Sequence, residues 1–346
     1  MRTRTRHRFA CGLRRAVGVF ALAAGFAAPA PASGADPETL REAAGRSLTL
    51  LETSSRIAIG ERPNCFTCHH SGLPAAAFLA AGEKGFDQFG EALKAQMRFT
   101  AGVLAKNRER YAEGRGPGGA SFGAASALWA LQLGGWPADE TTRTVAGYVL
   151  EHQSDRDFWT PPSTRPPAEE SPFSATYVAL ESLRAYGGDL DPQRLADRVE
   201  RARRWLGRTP PETTEDRVFR LLALASGGSD AGGDEDTAAA AAQLLATQRE
   251  DGGWGQLEEL SSDAYATATA LVGLFWADPQ AKSDPAWQRG LAWLLDAQLP
   301  DGSWHVRSRA DPFQKYYESG YPHGPDQFLS ITAACWATIA LLAALP

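Results

Sequence analysis

The sequence predicts an all-α protein built from about six helical hairpins. Three observations carry that expectation. A turn recurs, with Gln153 followed six residues on by Trp159, Gln248 by Trp254 and Gln298 by Trp304. Around each turn the chain repeats itself, with a helix-like segment ahead and an Ala-rich apolar segment behind. No sustained alternation of apolar and polar residues, bounded by turns, marks a strand.

The elements follow in order. The unit reads as an amphipathic helix, a turn, and a helix that is apolar on nearly all sides and must be buried. The buried members include Ser174–Leu180, Tyr265–Leu271 and Ile331–Ala337. Weaker copies pair residues 37–58 with 73–83, 87–113 with 121–133, and 191–206 with 215–226, giving a repeat of roughly 50 residues. Two turns read Gln-x-x-Asp-Gly-x-Trp. There Gly takes a positive φ at little cost, Gln satisfies backbone groups freed at a helix end, and Trp covers that end. Gln and Trp are therefore expected to staple repeats rather than to act chemically. Cys335 and Met97 are expected in the core.

Composition bounds the rest. The chain has 346 residues, 43% hydrophobic and 22% charged, enough for a substantial core. Six arginines and no acid occupy the first fifteen residues. An apolar run from about Val17 to Ala28 follows, too short for the roughly 20 residues of a membrane span. Small residues and prolines up to Ala35 complete the pattern of a cleaved signal peptide. Residues 1–35 are thus expected to direct export to a bacterial periplasm or beyond, and residues 36–346 to form one domain with no membrane span. Without the leader, 29 basic residues face 41 acidic ones, a net charge of −12. Such an acidic body excludes nucleic acid as a partner.

The Gln-x-x-x-Gly-x-Trp turns, the lead-in Arg289-Gly-x-x-Trp-Leu-Leu and the follow-on Asp263-Ala-Tyr-Ala-Thr-Ala resemble the repeats of terpenoid cyclases and protein prenyltransferases, as found in squalene-hopene cyclases. The run Phe313–Gln327 resembles an exported bacterial branch of that superfamily. The resemblance spans roughly 37–346 and implies a single α/α toroid, with inner helices in a barrel and outer helices around it. It also implies an apolar, isoprenoid-like ligand.

The family's chemistry does not carry over with its fold. The cyclases protonate their substrate with Asp-x-Asp-Asp-Thr-Ala, and here Tyr265 stands where the proton donor would be, a phenol far too weak for the task. Asp263 is the best acid left. Asp234-Glu-Asp-Thr-Ala238 imitates the motif but reads as a linker with an N-cap at Asp236 or Thr237. The Asp-x-Cys of a prenyltransferase zinc site is missing.

Asn64-Cys65-Phe-Thr-Cys68-His69-His70 adds a separate chemistry. Cys-x-x-Cys-His is the attachment pattern of c-type haem, with Cys65 and Cys68 bonded to the macrocycle and His69 on the iron. A disulfide or redox pair and a zinc site that adds His69 or His70 and a distant ligand are the alternatives. His70 cannot serve the same iron as its neighbour.

In a toroid the outer-to-inner connections emerge at one end, together with the long loops Ser154–Phe173 and His305–Gln327. That rim is expected to gather Cys65, Cys68, His69, His70, Asp155, Asp157, Asp263, His305, Glu318, Tyr321, His323 and Asp326. Asp263, His323, Glu318 and Asp326 are the candidates for acid–base work. His323 is the candidate second haem ligand, and His305 follows it.

Three functions stay open. The first is a ligand-binding or cyclase-like toroid. The second is an electron-transfer haem protein that meets a redox partner. The third is a non-catalytic interaction scaffold.

Overall fold

A computed structural model describes residues 35–227, 233–311 and 316–346. The expected leader, Cys11 and the stretch Phe313–Lys315 lie outside the described residues. The described chain falls in one unit, Ser33–Pro346.

Among the described residues there is no β-ladder beyond a single bridge between Arg165 and Glu169. Six inner helices, α2 (Leu73–Glu83), α5 (Ala120–Leu133), α7 (Pro172–Tyr186), α9 (Thr214–Ala225), α11 (Ala264–Ala277) and α13 (Gln327–Ala344), pack each against the next. α13 also packs on α2, which closes the ring. Outside them lie α1 (Pro37–Glu61), α3 (Gly90–Lys106) with the short α4 (Arg108–Ala112), α6 (Glu140–Glu151), α8 (Pro192–Arg208), α10 (Gly233–Leu245) and α12 (Pro285–Ala297). α1 packs more broadly on α13 than on its own partner, so it covers the seam between last and first hairpins. This is the expected α/α toroid.

Composition explains the layers. α11 and α13 carry almost no charge and are buried along nearly their whole length. Their Ala, Gly and Thr residues let neighbouring helices approach closely. The stretch Gly324–Ala344 is long and apolar enough to cross a membrane, contrary to the sequence expectation, but nearly all of it is buried inside the ring. α8 is the opposite case, a strongly amphipathic helix held by one buried stripe, Arg198, Ala202, Trp205 and Leu206.

The turns work as stapling devices. Nε1 of Trp159, Trp254 and Trp304 donates to the carbonyl ten residues earlier, on Val149, Leu244 and Leu294, at 2.9–3.0 Å. Each ring thus ties a carbonyl near the end of an outer helix, and the Leu244 carbonyl accepts from Thr247 N and Oγ1 as well. Gln248 Nε2 donates to Gly252 O and to Ala286 O at the start of α12 (2.8 and 2.7 Å). Gln298 repeats the pattern, to Gly302 O and to Ala43 O of α1 (3.1 and 2.9 Å). The last turn therefore holds the first helix as the fifth holds the sixth.

Two boundaries differ from expectation. The outer segment 87–113 is broken at Asn107 into α3 and α4. α10 begins at Gly233, so Asp236 and Thr237 lie inside the helix instead of capping it. Glu235 and Asp236 there suit the positive end of the helix dipole.

Candidate functional site

The inner helices all begin at the same end of the ring, and the cavity opens there. Its volume is about 480 Å³. The walls come from the inner helices: Phe122, Ser126 and Trp129 of α5, Tyr177 of α7, Phe219 of α9, and Phe328, Thr332 and Trp336 of α13. The i, i+3, i+4 spacing places each set on one helix face. Trp129 and Trp336 sit 6.4 Å apart, tilted to each other, about three turns in. Trp336 also meets Trp276 edge to face at 5.6 Å. The two long loops border the mouth through Arg165, Glu169, Ser308, Tyr316 and Asp326.

The Cys-His run reaches this mouth. Cys68–Gly72 forms a single π-helical turn that leads into α2, a widened turn found often at functional sites. Cys68 and His69 line the cavity. Cys68 Sγ lies 3.8 Å from His69 Nδ1 and 3.7 Å from Glu169 Oε1. Burial pushes the Cys68 thiol up and holds His69 well below the usual imidazole range, with His70 and Arg165 adding to the latter. Burial brings His70 down to about 3. Both imidazoles are therefore neutral. His70 is fully buried against Phe328 and Tyr317, outside the cavity wall. Cys65 is exposed, its thiol directed at the Phe66 carbonyl, 3.7 Å away. Cys65 and Cys68 are not joined in a disulfide.

The expected rim gathers only in part. Asp326 lines the cavity and accepts from His305 Nε2 at 2.7 Å and from Ser308 N at 2.9 Å. Partial burial raises its carboxyl, but these donors outweigh it and leave the group below its ordinary range. His305 stacks on His323 at 4.7 Å, and His323 Nε2 is paired with Ser303 Oγ at 2.9 Å. Neither imidazole is among the cavity-lining residues, and His323 faces Ser303, not the Cys68 group. Glu318 is exposed and accepts from Tyr316 OH and Gly320 N, a local loop contact. Tyr321 is buried and Asp157 pairs with Arg201 and Arg208, both away from the cavity. Asp155 does not line it either.

Asp263 caps α11, accepting from Ala266 N at 3.0 Å, while its own N–H donates to Trp254 O. Burial raises it to about 6. It does not line the cavity. Its place is the joint between a Trp turn and an inner helix. Cys335 and Met97 are buried, as read from the sequence.

Glu215 also faces the cavity, deeper than the loop acids, and sequence reasoning missed it. Thr213 and Asp216 form the capping box of α9. That leaves the intervening Glu215 turned inward, one helical turn before the cavity-lining Phe219. Tyr265 OH donates to Glu215 Oε2 at 2.8 Å. Burial raises the Glu215 carboxyl well above its ordinary value, opposed by the Tyr265 hydrogen bond and aided by Asp216. The available signal was a carboxylate in the first turn of a helix, in line with the apolar face of Val218, Phe219 and Leu222.

A pH dependence follows. Between its unfolded range and its raised folded value, Glu215 keeps a proton in the folded chain that the unfolded chain has released. Stability therefore falls as pH rises through that window. Glu215→Gln, which keeps a neutral partner for Tyr265, is expected to flatten this slope. Urea melts across pH should show the variant equal to the parent in acid and more stable in alkali. Equal slopes would place the carboxyl in contact with water.

No family model matches the chain. A 68-residue stretch, 20% of the chain and 12% of the relative, is 44% identical to drimenyl diphosphate synthase of Streptomyces showdoensis. Among solved structures, the type II terpene cyclase MstE from Scytonema is similar over 88% of this chain and 98% of that one, with a TM-score of 0.56 and 14% identity. The unsaturated glucuronyl hydrolase of Bacillus sp. GL1 is similar over 88% and 96%, with a TM-score of 0.55 and 15% identity. Such neighbours speak for the fold alone. The chain has the α/α toroid fold shared by the type II terpene cyclase and the glucuronyl hydrolase.

Proposed function

We propose that the chain is exported and binds an apolar, isoprenoid-like molecule in the cavity at the mouth of the ring. It does so without the acid-rich protonation motif of the type II cyclases. One observation carries this reading: an opening of about 480 Å³ walled by Phe122, Trp129, Tyr177, Phe219, Phe328 and Trp336. That volume is within the range of small-molecule pockets. Burial of a hydrocarbon chain contributes about 0.8 kcal/mol per CH₂, and aromatic walls accept it without demanding polar partners. MstE has been solved with geranylgeranyl dihydroxybenzoate, so a related ring accommodates a ligand of this class.

The test is saturable quenching of tryptophan fluorescence by farnesol, geranylgeraniol or squalene. Trp129 and Trp336 stand in the wall and report occupancy directly. Thr332→Phe, which adds a ring into the opening, is expected to weaken binding by about tenfold or more. That corresponds to the loss of roughly two buried CH₂ groups. No saturable quenching by any of the three sinks the reading and leaves the scaffold role.

The haem reading has one observation in its favour, the presence of Cys68 and His69 at the mouth. The fit is poor in detail. A porphyrin iron needs an imidazole nitrogen facing open space, whereas His69 Nε2 has no accessible surface and Nδ1 is turned to Cys68. Cys65 is directed elsewhere.

A further inference from the structure

We propose that Cys68, His69 and Glu169 form a three-ligand zinc site whose fourth position opens into the aromatic cavity. Their ligand atoms all lie within 4.8 Å of one another, and no other such trio of Cys, His, Asp or Glu occurs among the described residues. Tetrahedral zinc, with Zn–S near 2.3 Å and Zn–N near 2.0–2.1 Å, separates neighbouring ligand atoms by about 3.5 Å. The observed 3.8 Å from sulfur to Nδ1 and 3.7 Å from sulfur to Oε1 need only a slight contraction. As hydrogen bonds these contacts are long, so the trio is close without being well satisfied.

The surroundings are those of a built site. His69 is 8% exposed and turns its Nδ1 to the Cys68 sulfur. Glu169 is likewise 8% exposed. Its second oxygen is occupied by an ion pair with Arg165 and a 3.3 Å hydrogen bond from Ser163 Oγ, which leaves Oε1 for the metal. Reciprocal backbone hydrogen bonds between Arg165 and Glu169, at 3.2 and 3.0 Å, pin the loop. Outer contacts of this kind orient ligating groups. One thiolate, one imidazole and one carboxylate suit zinc, and three protein ligands with one open position are the pattern of a reactive rather than a purely structural site. All three residues line the cavity. The fourth ligand is thus water, or an oxygen or sulfur on the head of the cavity's occupant. That last clause rests on the proposed apolar ligand, and the metal site does not.

The experiment uses the full chain, stripped with a chelator and reloaded with zinc chloride alone. One zinc per chain is expected by elemental analysis. Cobalt in its place should give a thiolate-to-metal charge-transfer band and the intense visible bands of a tetrahedral ion. Cys68→Ser, His69→Gln and Glu169→Gln should each weaken zinc by about 100-fold or more, beyond the effect of outer-shell changes. Cys65→Ser should leave it unchanged. Metal-free melts of each variant separate lost ligation from lost folding.

Absence of stoichiometric zinc and cobalt in a folded chain overturns the site. So does an equal loss in Cys65→Ser, or covalent haem in a pyridine haemochrome spectrum. Adding farnesol to the cobalt form should perturb its visible bands. If fluorescence shows farnesol bound while those bands stay fixed, the open position does not meet the ligand, though the metal site stands.

Discussion

Trp304→Ala is expected to destabilise the ring by about 3–5 kcal/mol, the usual range for removal of a buried large aromatic side chain. Two losses combine. The indole is 1% exposed, so its removal leaves a cavity at the base of a turn. Its Nε1–H also satisfies the Leu294 carbonyl at 2.9 Å, and a buried acceptor left without a donor costs a further 1–3 kcal/mol, in part already within that range. Trp254 is fully buried and should show the cavity loss too, but the Leu244 carbonyl keeps its bonds from Thr247, so its variant should lose less. Trp293 is the control, since it is half-buried and bonds only to Asp251 at the surface. Its replacement should cost about 1 kcal/mol or less. Urea unfolding of the three variants measures the contrast. Equal midpoints for Trp304→Ala and Trp293→Ala would show that the repeated Trp does not bind the hairpins together.

That contrast also shows which parts of the molecule were legible in the sequence. The Gln, Gly and Trp of the turns were readable because each serves backbone groups within ten residues of itself. The partners those turns hold were not. Arg289 reaches Gln248, and Arg46 bonds to Gln298 at 2.6 Å across 252 positions. Arg198 lies over the Trp159 ring, 3.9 Å from its centroid, and donates to Gln153 O at 3.0 Å. A guanidinium from a neighbouring outer helix thus locks these three turns, and nothing local in the sequence marks it.

The site divides in the same way. Cys68 and His69 were legible as chemistry because they are adjacent. Glu169 was not, since it lies on a loop a hundred positions on and is brought in by ring closure. Asp263 attracted attention through its family position, but an aspartate just before an inner helix has a commoner use as a cap, and that is its use here. His305 and His323 were expected to face the thiols. They stack on one another because Ser303 and Asp326 already satisfy their outer nitrogens.

Gly302→Ala is the sharpest test of how the ring closes. Gly302 has φ +88, a left-handed backbone that disfavours any side chain. A Cβ there would also lie 2.6 Å from Arg46 Cβ, 2.8 Å from the Arg46 carbonyl carbon and 3.0 Å from Ser47 N. Two of those atoms are backbone of α1, so no rotamer relieves the contact. The left-handed φ costs about 1 kcal/mol and the forced separation about 1–3 kcal/mol more. Gly114→Ala isolates the first contribution, because Gly114 has φ +71 with nothing near its missing Cβ. Gly302→Ala should therefore unfold at distinctly lower urea than Gly114→Ala. The extra loss should sit at the seam, as faster amide exchange along α1, which Gln298 and Gly302 hold against the last turn. If the two variants melt together and α1 keeps its protection, then α1 is held by its packing on α13 alone and the last turn adds nothing to the closure.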